Sequence, residues 1–249
     1  PATGYLACGD TGEGKMPEPE LLLEYIIKAL TPKDMQGLKV LVTAGPTMEK
    51  IDPVRFISNH STGKMGYAIA RAAMLRGADV TLVTGKTGLM PPVNINTVNI
   101  LSAADMAKAV KSRADGQNII IKAAAVADYR PKHTADEKIK KKDDDMSIEL
   151  ERTEDILGFL GAHKKEGQFL CGFSMETENM EENSRRKLQK KNLDLIVANN
   201  LKEAGAGFGT DTNVVTLISK EASIQLPIMS KEEVAERLLS HILDTMNIL

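Results

Sequence analysis

The feature that most constrains this chain is an alternation of short apolar runs with segments of helical period. "LKVLVTAGP", Leu38–Pro46, is apolar and β-branched, and its closing Gly-Pro marks the end of a buried parallel strand. The polar loop "TMEKIDPVRFISNH" leads to Ser61 and Thr62, either of which suits a helix N-cap. Met65, Ile69, Ala72 and Ala73 then fall on one helical face, and Gly77 stops the helix. "ADVTLVTG" supplies a second strand, which completes a right-handed βαβ unit between Leu38 and Val83.

The pattern continues down the chain. Ser102 caps "AADMAKAVKSRA", and "NIIIKAAAVAD", Asn118–Asp128, is a third buried strand. Thr153 is placed to cap "EDILGFLGAHKK"; "QFLCGFSMET" is a fourth strand, "MEENSRRKLQKKN" a polar helix and "LDLIVANN" a further strand. "NVVTLIS" and "SIQLPI" suit a hairpin, and Ser230 with Glu233 forms a capping box for a last helix from Lys231 to about Met246. Repeated β-α-β predicts an α/β protein, a mostly parallel sheet with helices on both faces. A boundary is expected near Met35–Leu38. Residues 1–36 are too few for a core of their own and read as the tail of a preceding domain, with 37–249 as the main unit.

Composition narrows the function classes. A net charge of -2 gives no electrostatic footprint for nucleic acid or an anionic membrane, and 4% aromatics argue against a base-stacking platform. No apolar run is long enough for a bilayer span. Cys8 and Cys171 lie far apart without metal spacing and read as free thiols of a reducing compartment, the cytoplasm.

Chemistry in such sheets sits on the loops after the strands, and here those loops are long and polar. Ser61-Thr62-Gly63-Lys64-Met65-Gly66 is neither a Walker loop nor G-x-G-x-x-G. Hydroxyls beside a helix N-terminus favour an anion; a plain capped helix with a surface lysine is the other reading. "DEKIKKKDDD" is a solvated charge run or a lid of lysines for a triphosphate. Asp128 at a strand end can hold a metal or a ribose, or simply cap its loop. Lys187 and Lys191 share one helical face.

Taken in order, "VTAGPTMEKIDPVRFISNHSTGKMG", "AAAVADYRPKHTADEKIKK", "GFSMET", "KNLDLIVANN" and "GFGTDTN" resemble the phosphopantothenate–cysteine ligase (phosphopantothenoylcysteine synthetase) family, the C-terminal half of a bifunctional bacterial flavoprotein of coenzyme A biosynthesis. The resemblance covers Leu38 to about Asp244. "YLACGDTGEGKMPEP" resembles the closing flap of the partner decarboxylase, with Cys8 at the position of its proton donor. FMN would belong to that domain's core, which this sequence does not contain, so decarboxylation is expected to be absent.

The resemblance implies a three-layer α/β/α fold whose mixed sheet combines Rossmann-like and ribokinase-like connections. It implies that 4′-phosphopantothenate attacks the α-phosphate of CTP, with Mg2+ present, giving an acyl-cytidylate that the amine of L-cysteine then opens. Asn59, Lys138 and Arg55 would be the catalytic residues: Asn59 holding the acyl-cytidylate, Lys138 reaching the triphosphate, Arg55 on the substrate side. The nucleotide would lie against Ala123, Ala124, Asp128, Lys138, Lys141, Thr153, Glu154, Asp155, Ile156, Phe173, Lys187 and Lys191, with Asp128 a candidate for the nucleotide's magnesium. Gly45, Ser58, Asn59, Ser61, Thr62, Gly63 and Lys64 would form the substrate and phosphate loop. Thr62 stands where the family often has serine, and Thr153-Glu154-Asp155-Ile156 where it commonly has Asn-Pro-Asp-Ile. A homodimer is implied. Two rival readings are a nicotinamide-dependent oxidoreductase, which the missing G-x-G-x-x-G opposes, and a non-catalytic scaffold for a separate flavin subunit.

Overall fold

Eight strands make the central sheet of the computed structural model, which describes residues 2–141, 145–176, 179–200, 207 and 209–248. In chain order they are β1 (Lys39–Ala44), β2 (Asp79–Thr84), β3 (Asn96–Asn99), β4 (Ile119–Lys122), β5 (Phe169–Glu176), β6 (Leu195–Asn200), β7 (Val215–Ile218) and β8 (Ser223–Gln225). Their spatial order is 3-2-1-4-5-6-7-8; the first six are parallel, and β7 and β8 extend one edge as the antiparallel hairpin expected. Chain progression reverses between β1 and β4, which opens a crevice beyond their carboxyl ends.

Among the described residues six helices flank the sheet: α1 (Pro19–Leu30), α2 (Lys64–Leu75), α3 (Ala103–Ala114), α4 (Ile156–Ala162), α5 (Met180–Lys190) and α6 (Lys231–Thr245). The period-2 alternation of the strands sorts the core into two sides. Val40, Val42, Ile119 and Ile121 pack with Ile69 of α2 and Leu238 and Ile242 of α6. Leu41, Ile120 and Leu170 pack with Met106 of α3, Leu160 of α4 and Leu188 of α5. The result is the three-layer α/β/α sandwich. Ile119, Ile120 and Ile121 are fully buried, each contributing about 1.5–3 kcal/mol, so a slip of one residue in β4 is strongly disfavoured. That register puts Lys122 on the same side as Ile120.

Several local expectations are corrected. The N-cap of α2 is Gly63, not Ser61 or Thr62, and no side chain caps it. The cap of α4 is Asp155, whose carboxylate accepts from Gly158 N at 2.9 Å; Thr153 instead donates its hydroxyl to Ala127 O at 2.6 Å. The loop after β1 contains a hairpin, Met48–Lys50 against Phe56–Ser58. Strand β4 ends at Lys122, because residues 123–127 turn to pair with the loop after β1. The capping boxes at Ser102 and Ser230 are present, the first completed by Asp105.

Cys8 is exposed in the turn joining Ala2–Tyr5 to Thr11–Lys15. Helix α1 buries no residue of its own, and its Glu24 holds Arg71 of α2 in a two-pronged ion pair with a shortest contact of 2.6 Å. Met35 is fully buried in the main core, and Ile27 of α1 packs against that core partly buried.

Candidate active site at the strand ends

Two loops are zipped together at the switch point. Ala124 N donates to Thr43 Oγ1 at 3.1 Å, Ala125 N to Gly45 O at 3.0 Å and Ala127 N to Thr47 Oγ1 at 3.0 Å, while Thr47 N donates back to Ala125 O at 3.2 Å. Buried threonines after an apolar strand thus replace the missing sheet partners. Gly45 and Gly63 both have positive φ, +72° and +82°, and a Cβ on either would meet Thr87 Cγ2 at under 3 Å. These two glycines let the start of α2 close onto the end of β1.

Two adjoining cavities result. One, of about 260 Å³, is lined by Ser61, Thr62, Gly63 and Lys64 at the start of α2 and by Ser174, Asn199 and Lys231 opposite. Lys64 Nζ donates to Asp211 Oδ1 at 2.6 Å, and Lys231 Nζ to the carbonyls of Gly207 and Thr210. Burial, and then Lys64, hold the Lys231 ammonium below the usual lysine range. With no side chain capping α2, its N-terminal amides present partial positive charge to this cavity.

The second cavity, about 430 Å³, is lined by Lys122, Asp128, Thr153, Glu154, Asp155, Ile156, Phe173, Lys187 and Lys191, among others. Lys191 Nζ donates to Asp155 Oδ1 at 2.8 Å, Lys187 Nζ to Phe173 O at 3.3 Å, and Lys111 is paired with Glu154. Burial works to raise the Asp155 carboxyl, but the Lys191 and Gly158 hydrogen bonds outweigh it and leave the group below the ordinary carboxylate range. Burial pushes Lys122 down to about 7, with Asp155 opposing that shift and Lys191 adding to it. The two cavities share Ala124, Val126, Asp128, Phe173 and Lys187.

Most of the expected nucleotide residues are thereby gathered: Ala124, Asp128, Thr153–Ile156, Phe173, Lys187 and Lys191 in the second cavity, with Ala123 in the first. Ser58 and Gly45 sit just behind the loop, Ser58 Oγ donating to Thr47 O at 2.8 Å. Asn59 is exposed and lines neither cavity; its Nδ2 donates to the carbonyl of Ala125, a residue of the first, at 3.1 Å. Arg55 lines neither cavity. It grips the buried Asp52 through Nη2 at 2.6 Å and donates to Ile139 O at 2.9 Å, while Ile139 N donates to Asp52 Oδ2 at 3.1 Å. That clamp ties the segment carrying Lys138 to the first hairpin. The Arg55 hydrogen bond is the main reason the Asp52 carboxyl lies far below the usual range. Lys138 and Lys141 are exposed and line neither cavity, and residues 142–144 of their charge run lie outside the described residues. Among residues not singled out from the sequence, Lys122, Asn199, whose buried Oδ1 has no partner among the described residues, and Lys231 join the site. The one available signal was a lysine ending an apolar run, "IIIK".

A three-layer sandwich with an uncapped helix start and a lysine-lined cavity meeting at its switch point defines an α/β protein that gathers positive charge where such folds place their ligands. More particularly, the chain belongs to the family of the DNA/pantothenate metabolism flavoprotein C-terminal domain, whose model matches residues 35–246. It is 50% identical over 247 residues to the coenzyme A biosynthesis bifunctional protein CoaBC of Bacillus subtilis (strain 168), covering 97% of this chain and 61% of that protein. The chain therefore spans about three-fifths of such relatives. The crystal structure of the C-terminal domain of a CoaBC is 45% identical with a TM-score of 0.75, covering 86% of this chain and 98% of that one. The DNA/pantothenate metabolism flavoprotein from Streptococcus pneumoniae is 28% identical with a TM-score of 0.74, covering 84% of this chain and all of that one (100%).

Proposed function

We propose that the chain is a CTP-dependent phosphopantothenate–cysteine ligase, acting through an acyl-cytidylate. The observation that carries this reading is the adjacency of the two cavities. A ligation through an activated acid needs a nucleotide and a second anionic substrate side by side, and here they would meet over Ala124, Asp128, Phe173 and Lys187. The larger cavity, at about 430 Å³, is within the roughly 300–1,000 Å³ common for small-molecule sites. The kinship to C-terminal domains of CoaBC proteins supplies the substrate class.

In this scheme the amides of Gly63 and its neighbours, with Lys64, hold the phosphate of 4′-phosphopantothenate. Its carboxylate attacks the α-phosphorus of CTP and pyrophosphate leaves; the cysteine amine then attacks the acyl carbon and CMP leaves. Lys187, Lys191 and, from its exposed loop, Lys138 offset the triphosphate charge as the phosphorus becomes pentavalent. The Asn59 amide binds the mixed anhydride without competing as a nucleophile. Arg55 acts from behind, through Asp52 and the Ile139 backbone. Among the described residues no cluster of three or more His, Cys, Asp or Glu could cage a metal, so Mg2+ would come in on the triphosphate, with Asp128 the carboxylate placed to meet it. A homodimer is part of the proposal. Val54 and Phe56, on the hairpin after β1, and Tyr129 and Leu150, where Tyr129–Pro131 pairs antiparallel with Leu150–Arg152, are exposed apolar side chains.

The test is pyrophosphate release. Phosphopantothenate with CTP should release pyrophosphate without cysteine, and adding cysteine should release CMP and product. UTP, GTP and ATP run beside CTP establish the nucleotide. Folded protein that turns over none of them, with magnesium and both substrates present, defeats the proposal.

A further inference from the structure

Lys122 ends the central strand β4 and lines the floor of the larger cavity, yet only 7% of it is exposed. Its hydrogen-bond partner among the described residues is poor, the thioether Sδ of Met106 at 3.5 Å. A buried ammonium without a strong acceptor is costly, and nothing about the fold requires one in this place. The carboxylate nearest in effect, Asp155, is already committed to Lys191 and Gly158 N. Beside its charged groups the cavity is lined by Val126, Ile156, Leu157 and Phe173. Those apolar side chains suit a flat heterocycle. A triphosphate would lose too much hydration there, and the half-exposed Lys187 and Lys191 offer it a wetter place.

We propose that Lys122 is a specificity-determining residue of this site, its ammonium donating to a ring-carbonyl oxygen of a pyrimidine base and so favouring such a base over adenine. The inference rests on the nucleotide reading given above and adds the residue that reads the base. Adenine carries no exocyclic oxygen; cytosine and uracil both carry a carbonyl beside the glycosidic nitrogen. With adenine bound, the buried ammonium gains no acceptor and keeps only its thioether partner, and selectivity of this kind is large when a buried polar group is left unpaired. The charged and titratable groups on the cavity wall are Asp128, Tyr129, Arg152, Glu154, Asp155, Lys187 and Lys191. At Lys122's level the adjoining strands contribute Thr43 and Gly172, neither charged.

A pH signature follows. In the free protein Lys122 loses its proton at about 7, so a base oxygen that needs the charged form draws a proton in as it binds. CTP affinity should then fall as pH rises above that value.

Calorimetric titration of CTP, UTP and ATP into the wild type, Lys122→Met and Lys122→Gln tests this, run from about pH 6 to about pH 9 in buffers of different ionisation enthalpy. Lys122→Met should weaken CTP and UTP by about 10-fold or more and ATP by less than about 3-fold, with Lys122→Gln between, since its amide still donates. Proton uptake on CTP binding should vanish in Lys122→Met. Methionine fills a similar volume without the charge, so the melting temperature should hold or rise, which keeps the comparison between folded proteins. Equal losses for CTP and ATP would make Lys122 a general electrostatic element and overturn the inference; so would unchanged affinities. Wild type that binds no nucleotide overturns the nucleotide reading itself, a distinct result.

Discussion

The starts of α2 and α3 solve the same problem in opposite ways. At α3, Ser102 Oγ accepts from Asp105 N at 3.1 Å and Asp105 Oδ2 accepts from Ser102 N at 2.9 Å, so the helix satisfies its own first amides. Helix α6 repeats the device with Ser230 and Glu233, at 3.1 and 2.8 Å. Helix α2 begins at a left-handed glycine with no side-chain cap, and it is α2 that faces the cavity. A missing side-chain cap is not peculiar to the site, since α1 and α5 also lack one, and the closed start of α6 puts Lys231 into the same cavity. What sets α2 apart is a left-handed glycine at its cap with its first turn lining the cavity, which in the proposed scheme leaves those amides for a ligand.

The sharpest way to break that contrast is Gly63→Ala. The left-handed backbone costs an alanine roughly 1–2 kcal/mol, and its Cβ would stand 2.8 Å from Thr87 Cγ2. The start of α2 would have to move, so ligase activity should fall by about two orders of magnitude, in line with an Å-scale misplacement of a substrate group. Thr87→Ser removes the clashing methyl while keeping the hydroxyl that donates to Tyr67 at 3.1 Å. The double variant should regain part of the lost melting temperature but little activity. Full recovery of both would show that only the clash mattered, and not the backbone geometry.

A smaller effect is expected from the other cavity, which is built from side chains. Lys191→Gln removes a partner of Asp155 and, in the proposed scheme, one cation that offsets the triphosphate. The KM for CTP should rise by about 10-fold, the range for losing one charge-assisted hydrogen bond, with the KM for phosphopantothenate unchanged. Steady-state kinetics with each substrate varied in turn decide this. Equal rises in both constants would mean that the cavities are not separate subsites.

The same contrast explains what could be read from sequence. The sandwich was legible because "LKVLVTAGP", "NIIIK" and "QFLCGF" state burial directly and helical period separates them. So were the cap at Ser102 and the box at Ser230, since both are written in the residues that form them; the part of Asp105 in closing the first was not read. The start of α2 was misread because its neighbours Ser61 and Thr62 look like caps, and only the φ of Gly63 shows that neither is. Thr153 lost the cap of α4 to Asp155 by a tertiary bond to Ala127 O. Strand β3, "NTVN", was missed because a short edge strand has few apolar residues to mark it. Lys122 was hidden by its setting. Nothing in "IIIKAAA" says whether a lysine there escapes to solvent or stays beneath a cavity.

The smallest effect concerns the closed helix starts. Ser102→Ala should cost about 1 kcal/mol, or about 2–4 °C in melting temperature, and leave ligase activity as it was. Its pH dependence has a definite sign. The Ser102 backbone N–H, then its hydroxyl, hold the Asp105 carboxyl below the ordinary carboxylate range, and Ser230 does the same to Glu233. A depressed carboxyl adds stability that is present above its unfolded pKa and lost as pH falls through its folded one. Between about pH 6 and pH 3 the wild type should therefore lose more melting temperature than Asp105→Asn, whose amide oxygen still accepts from Ser102 N but does not titrate. The uncapped start of α2 has no carboxylate in its first turn and contributes nothing to that slope. Parallel acid melts of the two proteins would thus register the difference between a helix start closed by an ionised side chain and one held open for a ligand.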